Sequence, residues 1–107
     1  GVQPLEAGFK KFLVRPQLGS LHHVETVVPS VNGNISVKAK DKGYLTLEVT
    51  VPPRTTAVLS VSSKYVDISL NNKSTKFSLS ADGKFKEATV KSGTYVVKAR
   101  VSNSRKF

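Results

Sequence analysis

The stretch Tyr44-Leu45-Thr46-Leu47-Glu48-Val49-Thr50-Val51 leaves little freedom of fold. Leu45, Leu47, Val49 and Val51 share one face, and Tyr44, Thr46, Glu48 and Thr50 share the other. A helix repeats every 3.6 residues and a strand every two, so this pattern specifies a half-buried β-strand. Ile35, Val37 and Ala39 alternate with Ser36, Lys38 and Lys40 in the same way. Between the two runs, Asp41-Lys42-Gly43 has the Asp and Gly that a tight hairpin requires. Near the end, Thr94 to Val101 repeats the pattern, with Tyr95, Val97, Ala99 and Val101 expected inward.

Shorter strands are expected over Phe9–Arg15, His22–Val28, Thr56–Val61, Tyr65–Leu70, Lys76–Ser80 and Phe85–Val90. Asn32-Gly33, Pro52-Pro53, Asn71-Asn72, Asp82-Gly83 and Ser92-Gly93 separate them with residues that break ladders or supply positive φ. The nearest approach to a helical stripe, Leu5 to Phe12, is interrupted by Gly8. Short strands at roughly ten-residue spacing predict an all-β fold, an antiparallel β-sandwich of about eight strands. Residues 9–101 form the sandwich in this reading, 1–8 a linker from an upstream domain, and 102–107 a basic tail.

The chain carries 17 basic and 7 acidic residues, a net charge of +10. Its 13 lysines are scattered from Lys10 to Lys106, and only 4 basic residues are Arg. Base readout and phosphate clamping favour Arg, whereas dispersed Lys keeps sheets soluble and edges unpaired. The reading is therefore a solvated surface rather than a nucleic-acid binder. No apolar run approaches the ~20 residues of a membrane span. With no Cys, thiolate metal sites and thiol nucleophiles are excluded.

The remaining chemistry is sparse. His22 and His23 are adjacent, so on a strand they point to opposite faces and at most one serves any site. The seven acids suggest no catalytic pair, and no nucleophile-elbow or phosphate-cradling glycine motif is present. The reading assigns no catalytic residue, no metal and no cofactor. Without Trp, a sugar platform would have to use Tyr44 and Tyr65, which fall opposite the apolar residues of their strands. They are the candidate glycan contacts, with Lys38, Lys40 and Lys98 as a candidate cationic row.

Gly8-Phe9-Lys10-Lys11 running through Arg15-Pro16-Gln17 marks a basic, apolar strand at the start of the chain. This stretch resembles the opening of the C-terminal β-sandwich domain of bacterial α-L-rhamnosidases. Gly33-Asn34-Ile35-Ser36 is similar to that family's Gly-x-Ile-x. Leu45 to Pro52 with Thr55-Thr56-Ala57 resembles its strand ending in Ile-Pro and the turn that follows. Ser92-Gly93-Thr94-Tyr95 resembles its closing Ser-Gly-Thr-Tyr hairpin. Two family tryptophans are replaced, by His23 and by Ala39.

The resemblance implies a non-catalytic accessory domain of an inverting α-L-rhamnosidase. The parent's catalytic carboxylates would lie in a helical toroid upstream, and the parent itself in the periplasm or outside the cell. The implied partner is that upstream catalytic domain, with Phe9, Phe12, Leu13 and His23 at the interface. Rhamnose-containing plant-type glycans would be reached only through the parent. The alternative is an independent carbohydrate- or anionic-polymer-binding module.

Overall fold

The computed structural model describes residues 2–16 and 22–101, with only the backbone described at Phe9. The expected tail 102–107 and the Phe9 side chain lie outside the described residues. The fold is all-β. Its strands are β1 (Val2–Pro4), β2 (Lys11–Val14), β3 (His23–Ser30), β4 (Gly33–Asp41), β5 (Tyr44–Val51) and β6 (Thr56–Ser62). They continue as β7 (Tyr65–Leu70), β8 (Lys73–Ser74), β9 (Ser78–Leu79), β10 (Phe85–Val90) and β11 (Gly93–Val101). A five-stranded sheet has the order β1-β2-β6-β10-β9, and a six-stranded sheet the order β3-β4-β5-β11-β7-β8.

The period-two pattern sets which side chains meet between the sheets. Ile35, Val37, Ala39, Leu45, Leu47, Val49, Val97 and Ala99 point inward from the six-stranded sheet, none more than 6% exposed. Phe12, Val14, Ala57, Leu59 and Val61 face them from the other sheet, none more than 1% exposed. Each such side chain contributes about 1.5–3 kcal/mol by leaving water. Phe77 joins this core, while Leu79 on the two-residue edge strand β9 is exposed. Val101, expected inward, is 37% exposed at the last position of β11.

The turns follow their chemistry. Asn71 and Asn72 both adopt positive φ, 52° and 67°, and so close the two-residue link from β7 to β8. Asp82 Oδ1 accepts hydrogen bonds from Ser80 Oγ (2.6 Å) and the Lys84 N–H (3.0 Å) in the turn before β10. Those bonds, the Ser80 one foremost, hold the Asp82 carboxyl below its ordinary value.

Three local expectations need correction. The first concerns the N-terminal strand, which starts at Lys11 rather than Phe9. Ala7–Phe9 is a 3-10 turn in which Gly8 takes φ 68°, a conformation that ends any extended run. Secondly, residues 2–4, within the stretch read as linker, form the edge strand β1, pairing Val2 with Val14 and Pro4 with Phe12. With the short β8 and β9, this raises the strand count above eight. Thirdly, the sandwich is not wholly antiparallel. β2 runs parallel to β6, with Lys11 opposite Thr56 and Val14 opposite Leu59. The long connection between them, which carries β3 to β5 into the opposite sheet, is what a parallel pair requires.

Candidate functional site

Of the strand read as a docking element, Phe12 and Val14 belong to the core. β2 is flanked by β1 and β6, so Phe12 is fully buried and Leu13, on the other face of the strand, is 8% exposed. Neither is presented on the surface of this domain. The apolar character of the strand serves the sandwich itself. His23, by contrast, is exposed on β3, and its Nε2 lies 2.9 Å from Glu25 Oε2, two residues along the same face.

The two tyrosines do not form a platform. Tyr44 is 53% exposed, but Tyr65 is only 6% exposed. The reason is a β-bulge. Lys98 pairs with Ser69 and Arg100 with Val66, so two steps on β11 face three on β7. Asp67 absorbs the extra residue with φ 53°, and the alternation slips so that Tyr65 and Ile68 both turn inward. Tyr65 Oη donates to Asp41 Oδ2 at 2.7 Å.

Burial chiefly, then the hydrogen bond to Asp41 and its charge, holds the Tyr65 phenol far above its ordinary value. Folding therefore favours the protonated phenol. The stability this contributes is complete below about pH 10 and declines as pH rises beyond it. Alkaline denaturation followed by tyrosinate absorbance should show one phenol ionising only as the chain unfolds. Tyr65→Phe should abolish that late step and, at neutral pH, cost about 1 kcal/mol for the lost hydrogen bond.

Sequence reasoning missed three features. On the outer face of the five-stranded sheet, Arg15 Nε donates to Ser60 Oγ (3.0 Å) and its Nη2 to Glu87 Oε2 (3.1 Å). The same guanidinium lies 3.7 Å from the centre of the Phe85 ring. These residues are far apart in sequence, so no local motif announces them. A second feature is an apolar stripe. Val27 is 61% exposed on the edge strand β3, Pro29 is exposed beyond it, and Val31 in the following turn is 81% exposed. Gly8 of the 3-10 turn abuts Val31, and Leu5, 49% exposed, lies on the same N-terminal segment. The run Val24 to Pro29 places apolar residues on both parities, so alternation alone does not show which of them face solvent.

The third feature is a shallow cleft of about 370 Å³ at the same end of the sandwich. Gly33, Asn34, Val51, Pro52, Ser92 and Gly93 are among the residues lining it. A hydrogen bond from Thr55 Oγ1 to the Pro52 carbonyl (2.6 Å) fixes one wall. The Thr56 N–H donates to the Lys10 carbonyl (2.9 Å), tying the N-terminal segment beside it. A Cβ on Gly33, whose φ is 126°, would come within 3.3 Å of the Pro52 Cβ.

The family model described as the bacterial α-L-rhamnosidase C-terminal domain matches residues 1–76. The chain belongs to this family. Its fold resembles part of the solved α-L-rhamnosidase from Dictyoglumus thermophilum, with TM-score 0.78 and 18% identity over 94% of the chain. The Streptomyces avermitilis α-L-rhamnosidase, solved in complex with L-rhamnose, is similar over 91% of the chain, with TM-score 0.75 and 22% identity. The rhamnosidase C-terminal domain spans only 12% and 9% of those two chains. No curated protein matches it. In this domain Gly33, Val51-Pro52 and Ser92-Gly93, remote in sequence, line one cleft.

Proposed function

We propose that the chain is a non-catalytic accessory domain that seats an α-L-rhamnosidase's upstream catalytic domain. The observation that carries this reading is the exposed apolar stripe of Val27, Pro29 and Val31, beside an N-terminal segment whose Gly8 abuts Val31 and whose Leu5 is also exposed. Large exposed apolar groups gathered beside the N-terminal segment are expected where another domain covers them. Inter-domain interfaces of this type bury roughly 600–1,500 Å², enough to steady the last helices of the preceding domain. The acids also favour a structural role. Glu25, Asp41, Asp67, Asp82 and Glu87 are all engaged by neighbouring side chains of this domain. In this reading the parent removes terminal α-L-rhamnose with inversion, using carboxylates outside this chain.

The test is a Leu5→Asp/Val31→Asp double variant, made both in the isolated chain and in the parent enzyme. Exposed substitutions should leave the stability of the isolated chain within about 0.5 kcal/mol. In the parent, the melting temperature of the catalytic domain should fall and protease should cleave between the domains sooner. A parent that melts and resists protease as before would refute the docking surface.

A further inference from the structure

The outer face of the six-stranded sheet carries an ordered row of side chains that crosses every strand. Cross-strand registers connect His23 to Lys40, Lys40 to Thr46, Thr46 to Lys98, Lys98 to Ser69 and Ser69 to Ser74. This row holds two lysines, hydroxyls and a histidine engaged by Glu25, and no carboxylate of its own. The next row differs: Glu25, Lys38 and Glu48 sit side by side, so its charges alternate and leave one net negative charge. On the other flank Arg100 is held by Asp67. Among the described residues Lys40 and Lys98 have no ion-pair partner. Lys40, Lys42, exposed Tyr44 and Thr46 also line an open groove of about 230 Å³, with Glu48 at its far end as the one carboxylate in the lining.

We infer that this face binds a uronate-bearing polysaccharide laid across the strands. Neighbouring strands are about 4.8 Å apart, so the row is roughly 24 Å long with Lys40 and Lys98 roughly 10 Å apart. Cations this sparse suit a polymer with at most one carboxylate per sugar. Duplex DNA presents a charge every ~1.7 Å and calls for denser contacts. Thr46, Ser69 and Ser74 can exchange hydrogen bonds with sugar hydroxyls, and the Tyr44 ring offers an apolar surface with a polar tip. The inference uses none of Leu5, Val27, Pro29 and Val31, so either reading can fail without the other.

Calorimetric titration of the 107-residue chain against polygalacturonate, its fully methyl-esterified form and an oligothymidylate of similar length tests this. Polygalacturonate should bind, and its affinity should fall as salt rises from about 50 to about 200 mM. The esterified polymer should not bind. Lys40→Ala/Lys98→Ala should weaken binding about tenfold and Tyr44→Ala severalfold, with unchanged circular dichroism. Three results would overturn the inference. They are a flat polygalacturonate isotherm, full affinity in the double-lysine variant, or oligothymidylate binding as tight as the polyuronate, which would mark a general polyanion surface.

Discussion

Replacing Phe12 by alanine should lower the unfolding free energy of the isolated chain by about 3–5 kcal/mol. The side chain is fully buried and belongs to the main core cluster between the sheets. Truncation would leave a cavity walled by paired strands on both sides, β1 and β6, which have little room to collapse. Against a total stability of about 5–15 kcal/mol for a domain, such a loss brings the chain close to unfolding at ordinary temperature. Urea denaturation read by circular dichroism measures it directly. A residue whose purpose was docking to another domain would behave in the opposite way, leaving the isolated chain intact. An unchanged urea midpoint would therefore return Phe12 to the interface.

The second large effect is expected at Gly33. Its φ of 126° is disfavoured for any residue with a Cβ, and that Cβ would approach the Pro52 Cβ at 3.3 Å. Backbone strain of this kind costs about 1–3 kcal/mol, and displacement of the Pro52 wall adds to it. Gly43 is the control, since its φ of 88° is also positive but a Cβ there meets nothing within 4 Å. Gly33→Ala should therefore lower the urea midpoint more than Gly43→Ala. Equal losses would mean that the approach to Pro52 contributes nothing, and that the cleft is less tightly built than its geometry indicates.

The strongly alternating strands were legible because both halves of the pattern are present. Leu45, Leu47 and Val49 lie buried and Glu48 and Thr50 exposed, as periodicity requires. Local turn chemistry was legible too, at Asn71-Asn72 and Asp82-Gly83. What escaped depends on neighbours remote in sequence. Tyr65 was misplaced because alternation assumes an unbroken ladder, and the bulge at Asp67 breaks it. Phe12 belongs to the core of this domain, which the sequence does not announce: an apolar, basic run shows that something is covered without showing what covers it. The stripe at Val27, Pro29 and Val31 was hidden by a segment apolar on both faces. The lysine row was half visible. Lys38, Lys40 and Lys98 do share a face, but only the register shows that Lys38 stands between two glutamates.

The parallel pairing of β2 with β6 also governs the order in which the domain assembles. It joins Lys11 to Thr56, and those four rungs can close only after the chain between them has been gathered in. β3 pairs with β4 and β4 with β5, each with its immediate successor, so these ladders form early. β1 can pair with β2 locally, but β2 joins the rest of its sheet only through β6. A ribosome delivers the chain in the reverse order, releasing β1 and β2 first. The strands that emerge earliest thus join their sheet only once the middle of the chain has been made.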